Sequence, residues 1–215
     1  MKIKVDIFSD AIFPWCYVGK KRLEKAVTAL SPDHAFEIRW HPFQLNPQTP
    51  AEGFDRAEYL ARKFGGGERL REMDAKMKEV GRGEGIEFHQ EKILKTPNTL
   101  NVHRLIWWAG RAGKQGALVE NLFRAYFTEG RDIGERAVLA RVAGESGFNA
   151  GEAAAFLEGE EGRTEVLKEE EDIKRAGVRG VPFFILNGRA FLEGAEPPEA
   201  FVQAVREMPP DAARG

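Results

Sequence analysis

One residue in this sequence has the chemistry of a nucleophile at a place where a fold could use it. Cys16 is the only cysteine among 215 residues, and it closes the segment Phe13-Pro14-Trp15-Cys16. Pro14 sits where the first turn of a helix tolerates proline, which places Cys16 in that turn. There the helix dipole and the free backbone N–H groups favour a thiolate. Lys20, one turn on, adds positive charge if its side chain points back. The opposing view has equal standing. A cysteine here can be a buried small hydrophobe, covered by Phe13 one turn earlier on the same face. In either case a single thiol excludes an internal disulfide, and with it turnover by a dithiol pair, in which one thiolate attacks and a neighbouring thiol releases the product.

A second segment, Gly177-Val178-Arg179-Gly180-Val181-Pro182, stands before a strongly apolar run. Other candidate chemistry is thin. His34, His41, His89 and His103 lack ligand spacing to one another or to the cysteine, so no metal site is expected. Gly65-Gly66-Gly67 has no following Lys-Ser or Lys-Thr and reads as a helix-breaking loop rather than a phosphate cradle. No Ser-His-Asp order suggests itself. His103 with Arg104 either lines a cleft or packs a helix. Asn98 is either a helix start before Thr99 or a polar group of the same cleft.

Composition narrows the classes. With 32 basic and 34 acidic residues, a net charge of -2 argues against a nucleic-acid surface, which needs clustered Lys and Arg. Lys20-Lys21-Arg22 reads as a solvated helix face. Hydrophobic residues at 42% and charged residues at 31% describe a soluble globular chain. Apolar stretches are too short to span a bilayer, and residues 1–9 lack the apolar core and cleavage site of a signal peptide. The expectation is a cytoplasmic protein, and the lone cysteine agrees with that compartment.

The elements that must position Cys16 follow from periodicity. Residues 2–8 alternate polar and apolar as a strand does, Trp15 to Leu30 keeps helical spacing, and Ser31-Pro32-Asp33 stops it. Phe36 to Trp40 alternates again, so strand, turn, helix and strand form a crossover unit of a parallel sheet. From about Phe54 to Gly159 no strand is expected. Helices are predicted at Glu58–Phe64, Glu68–Val80, Thr99–Gly110, Gly116–Thr128 and Arg136–Ser146, punctuated by glycines that include 81–85, with Asp132 in a capping position. Thr164 to Ala176 is an amphipathic helix stopped by Gly177. Asn187-Gly188 marks a hairpin between Phe183–Leu186 and Arg189–Leu192, and Pro198 to Glu207 a last helix.

The pairing of a strand-to-helix turn bearing Cys16 with a late loop ending in Val181-Pro182 resembles the thioredoxin superfamily. The resemblance sharpens to DsbA-like proteins of the FrnE and 2-hydroxychromene-2-carboxylate isomerase branch. It is carried by Ser9-Asp10 with Pro14-Trp15-Cys16-Tyr17-Val18-Gly19-Lys20-Lys21-Arg22-Leu23, Phe43-Gln44-Leu45-Asn46-Pro47, Asn98-Thr99 with His103-Arg104, Gly180-Val181-Pro182-Phe183-Phe184 and Gly194-Ala195-Glu196-Pro197-Pro198. These run in order along nearly the whole chain.

The resemblance implies an α/β thioredoxin-like fold with a large all-helical insertion: residues 1–53 and 160–215 in the thioredoxin-like part, 54–159 inserted. It implies a cis peptide before Pro182, and a Val181 backbone that pairs with a peptide or glutathione in the manner of a strand. It places Cys16 as the active-site sulfur, with Phe13, Pro14 and Trp15 as its motif and Val181, Pro182, Asn98 and His103 toward substrate. It also exposes a departure, because Phe13 stands where the branch carries the first cysteine of Cys-Pro-Trp-Cys.

Three functions follow as expectations. One is a thiol-disulfide oxidoreductase working with Cys16 alone, its redox activity altered or weakened. Another is a glutathione-dependent isomerase or transferase. The third is a non-catalytic module that binds peptide at Phe13 and Trp15. No tightly bound cofactor is expected; glutathione is the candidate co-substrate. Peptides or small thiols and disulfides are the partners, with neither nucleic acid nor membrane, and the chain is a monomer or homodimer.

Overall fold

The computed structural model describes residues 2–208. In chain order the first unit is β1 (Lys2–Ser9), α1 (Pro14–Leu30) and β2 (Ala35–Pro42). The middle carries β3 (Phe54–Asp55), α2 (Arg56–Phe64), α3 (Glu68–Gly83), β4 (Lys95–Thr96), α4 (Leu100–Gly110), α5 (Gln115–Phe127), α6 (Arg136–Glu145) and α7 (Ala150–Glu158). The chain returns through α8 (Arg163–Arg175), β5 (Phe183–Leu186), β6 (Ala190–Glu193) and α9 (Pro198–Glu207).

The main sheet has the order β2-β1-β5-β6. β1 lies at its centre because Ile3, Val5 and Ile7 are all fully buried. It runs parallel to β2, with Val5 opposite Ile38, and antiparallel to β5, with Ile7 opposite Phe184. α1 and α9 pack together, while α4 and α8 pack on β2. This is the α/β thioredoxin fold with a helical insertion, its sheet assembled from the two ends of the described chain. Residue 1 and residues 209–215, which close the expected ranges 1–53 and 160–215, lie outside the described residues.

Two carboxylates fasten the insertion to α1: Glu84, which accepts from Arg22 and Lys25, each at 2.6 Å, and Glu120. Glu120 on α5 accepts from Lys20, from Lys21 at 2.7 Å and from the Tyr17 hydroxyl at 2.8 Å. Lys20 is buried in this network, so its ammonium points away from Cys16 rather than back toward it. Behind it Tyr17 stacks on Phe123, and Phe88 meets Phe127 edge to face.

Several expectations need correction. β3 and β4 form a two-residue antiparallel ladder, Phe54 opposite Thr96, inside the segment expected to be free of strands. Runs this short carry no alternation to detect. α3 continues through Gly81, where a side chain would run into the Phe88 ring, so that glycine serves packing rather than termination. Asp132 does not cap α6: Glu135 is the N-cap residue, and the Asp132 carboxylate instead accepts from Gly134 N. α7 has no counterpart among the predicted helices. Its cap is Asn149, which accepts from Gly151 N and Glu152 N.

His41, at the end of β2, ties the sheet to α8. Nε2 lies 2.8 Å from Asp6 on β1 and Nδ1 lies 2.6 Å from Glu169 on α8. Burial opposes the charge, yet the two carboxylates raise the imidazole pKa to about 9. A pKa raised by folding stabilises the native state fully below the unfolded value of about 6.5 and loses that contribution as pH rises through the folded value. The thermal stability advantage of wild type over His41→Gln is therefore expected to be largest at about pH 6, below the unfolded value, and to be lost as pH rises through about 9. A gap that stays constant in thermal melts from about pH 6 to pH 10 counts against a protonated His41.

Candidate functional site

The turn between β1 and α1 is fixed by the backbone. Phe13 N donates to Asp10 O at 3.1 Å, and Cys16 N to Phe13 O at 2.9 Å. Phe13 occupies the N-cap position in extended conformation, with no side-chain cap because a phenyl ring has nothing to accept with. Pro14 opens the helix, its missing N–H being one that the first turn does not use.

Cys16 is 1% exposed. Its Sγ accepts the Asp10 N–H at 3.5 Å. Burial pushes the thiol up to about 12, against smaller opposing effects from the Ser9 side chain and the Asp10 amide, while the Asp10 charge adds to the rise. Of the two readings of Cys16, attacking thiolate or buried small hydrophobe, its burial favours the second. Its position in the first turn is as predicted, but desolvation outweighs the helix terminus. At neutral pH the group is a sealed thiol.

The Val181–Pro182 peptide is cis. The Pro182 ring reaches α1 at Gly19, one turn after Cys16, where an added Cβ would lie 3.0 Å from Pro182 Cγ and 3.1 Å from Phe184 Cζ. The glycine is what lets the late loop approach the turn. Gly177, Arg179, Gly180 and Val181 line a small cleft of about 300 Å³ on this loop.

Phe13, Pro14 and Trp15 face a cavity of about 400 Å³ shared with α2, α3 and the loop after β2. Its walls are mostly apolar, with Leu45, Leu60, Phe64 and Met77 among them. Two cations line it, and both donate to neutral oxygens. Arg56 reaches the Tyr126 hydroxyl at 3.1 Å and Gln90 at 2.8 Å, and Lys63 the Tyr59 hydroxyl at 2.8 Å. The acid in the wall, Asp74, has its pKa raised by burial, with Arg56 and Lys78 opposing. Sequence reasoning missed Arg56, Lys63 and Asp74, because on amphipathic helices they look like any solvated charges.

Asn98 and His103 are placed elsewhere. Asn98 donates to Thr49 O at 2.6 Å and accepts from Leu100 N at 2.9 Å, which makes it a brace for the start of α4. His103 is buried behind the turn, 3.6 Å from Asp10. Neither lines the cavity at Phe13 among the described residues. No group of His, Cys, Asp or Glu among the described residues is placed to hold a metal ion, and no described helix is long and apolar enough to cross a membrane.

A strand-to-helix turn bearing a cysteine, set beside a cis-proline loop on a β2-β1-β5-β6 sheet, defines a thioredoxin-fold protein of the DsbA kind. Residues 4–206 match the DSBA-like thioredoxin domain model, and the chain belongs to that family. It is similar to the uncharacterized protein YwbO of Bacillus subtilis (strain 168), 25% identical over 211 residues, covering 96% of this chain and 98% of the relative. Among solved structures it resembles a probable DsbA oxidoreductase from Streptomyces coelicolor, with a TM-score of 0.88 and 28% identity over 97% of this chain and 92% of that one. A 2-hydroxychromene-2-carboxylate isomerase shares the fold at a TM-score of 0.71 and 17% identity, covering 94% of each chain. So does the cytosolic disulfide reductase DsbM from Pseudomonas aeruginosa, solved with GSH, at a TM-score of 0.64 and 20% identity, over 95% of this chain and all of that one.

Proposed function

We propose that this DsbA-family chain has left dithiol turnover behind and works as a glutathione-linked binding site. An extended thiol ligand docks along Val181, and its apolar appendage enters the cavity at Phe13. The observation that carries this reading is the pairing of a sealed Cys16 with an open apolar cavity lined by Phe13, Pro14 and Trp15. A phenylalanine at the nucleophile position adds a wall where a redox partner would add a sulfur. Arg56 and Lys63 favour an appendage that carries negative charge. DsbM with GSH and the isomerase of the same fold make glutathione the thiol to test first.

The test compares glutathione with S-hexylglutathione by calorimetric titration. Burying even two methylenes, at about 0.8 kcal/mol each, tightens binding about tenfold. Leu60→Asp should erase that difference without weakening glutathione itself. Equal affinities for the two ligands defeat the cavity as the appendage site. Oxidised glutathione added to native protein should leave its intact mass unchanged. If instead the protein takes up one glutathionyl group at Cys16, the competing monothiol oxidoreductase is the correct reading.

A further inference from the structure

Three of the family-like stretches meet behind the turn: Ser9-Asp10, Phe43-Gln44-Leu45, and Asn98-Thr99 with His103. The Asp10 side chain is 0% exposed. Its Oδ2 accepts the Leu45 N–H at 2.8 Å, and its backbone N–H donates to Cys16 Sγ. Its other oxygen, Oδ1, has no hydrogen-bond partner among the described residues. Neither has Nε2 of His103, which lies 3.6 Å from that same Oδ1. A buried carboxylate with a single hydrogen bond is costly. Here the unpartnered acceptor and the unpartnered ring nitrogen face each other at 3.6 Å, about 0.7 Å beyond the length of a charge-assisted hydrogen bond.

The imidazole has a second neighbour. His103 also lines a groove of about 830 Å³ between β2 and α4, together with Trp40, Trp107 and Gln115. It therefore stands between that groove and the carboxylate under the turn. Ser9 and Cys16 lie on the sulfur side, Leu45 supplies its N–H, and Tyr126 on α5 has its hydroxyl pKa raised by burial first and by the Asp10 charge as well. Arg56 donates to that hydroxyl, which itself donates to Lys95 O.

We infer that Asp10 and His103 are a positioning pair. Nε2–H of His103 compensates the Asp10 carboxylate, that carboxylate holds the Leu45 loop, and the backbone N–H of the same residue meets the Cys16 sulfur, so the shape of the site is governed from the groove behind α4. Leu45 and Asn46 line the cavity at Phe13, so one buried residue serves both the sulfur's seal, through its backbone N–H, and the cavity's wall, through its carboxylate. The inference stands on these contacts whether or not glutathione binds.

The experiment uses the rate of native Cys16 alkylation by iodoacetamide at neutral pH, which reports how often the seal opens. His103→Gln keeps a donor, so its rate should stay close to wild type. His103→Leu strands the carboxylate, and the rate at neutral pH should rise at least about tenfold. Adding Asp10→Asn to His103→Leu should bring the rate back toward wild type, a rescue that a purely structural histidine would not show. The inference is overturned if His103→Leu alkylates at the wild-type rate, or if the double variant is as fast as His103→Leu alone. Should His103→Leu fail to fold, His103→Gln decides: a rate at least about tenfold above wild type in that variant, which keeps the donor, refutes the pair.

Discussion

Phe13→Cys should give this chain a disulfide-reductase activity, raising the rate of insulin reduction by dithiothreitol at least about a hundredfold over the wild-type protein. Residue 13 is the half-buried N-cap of α1, three positions before Cys16. A cysteine there meets the free N–H groups of the first turn, which lower a thiol pKa. Its thiolate attacks the substrate disulfide, forms a mixed disulfide and releases one thiol. Cys16 then attacks the introduced sulfur, releases the second thiol and leaves an internal disulfide between the introduced cysteine and Cys16, which dithiothreitol reduces. The burial that disables Cys16 as a first nucleophile suits it for the second step, which happens without leaving the interior. A variant that folds, forms the disulfide on oxidation and still reduces no insulin would show that the turn is not the descendant of a redox site.

The second large effect is on stability. Arg104 on α4 is among the largest fully buried side chains, and its partners are mostly backbone. Nε donates to Glu161 O at 3.0 Å and NH1 to Asn101 Oδ1 at 2.8 Å, while NH2 reaches Gly159 O; the guanidinium lies over the Phe156 ring. The arginine thus closes the end of α7 and the approach to α8 with one planar group. Arg104→Leu leaves buried carbonyls without donors and should cost about 3 kcal/mol or more in urea unfolding. Arg104→Lys should recover only part of this, because an ammonium lacks the fork that spans several carbonyls. A loss below about 1 kcal/mol in Arg104→Leu would mean that these carbonyls find water instead.

Much of this architecture was legible because it rests on periodicity and punctuation. The alternation in residues 2–8, Pro14 at the start of α1 and Pro198 at the start of α9 are local signals that tertiary packing did not override. Asn187 and Gly188 both take positive φ, as the hairpin reading required. The family-like stretches led to the turn and to Val181-Pro182, but not to what surrounds them. Whether Cys16 is open or sealed depends on how β1, α1 and the loop at Leu45 close over it, and no spacing records that. His103 illustrates the same limit from the other side: the motif marked it, yet its partner Asp10 lies 93 positions earlier and only the fold brings them within 3.6 Å. The cavity was out of reach for a similar reason, since its walls come from the turn, from α2 and α3, and from Asn46, Gln90 and Thr96.

The placement of β1 at the centre of the sheet has a consequence for the chain as it is being made. One edge of β1 is satisfied early, by β2 through Pro42, but the other waits for β5, which begins at Phe183. At a synthesis rate of about 5–20 residues per second, that edge stays unpaired for roughly ten to thirty-five seconds after β1 has emerged. The exposed edge carries Val5, Ile7 and Phe8, an apolar template for pairing with a neighbouring nascent chain. Aggregation during expression, rather than loss of the finished protein, should therefore be the characteristic failure of variants that slow the folding of the inserted helices, and chaperone supply should matter to yield more than to activity.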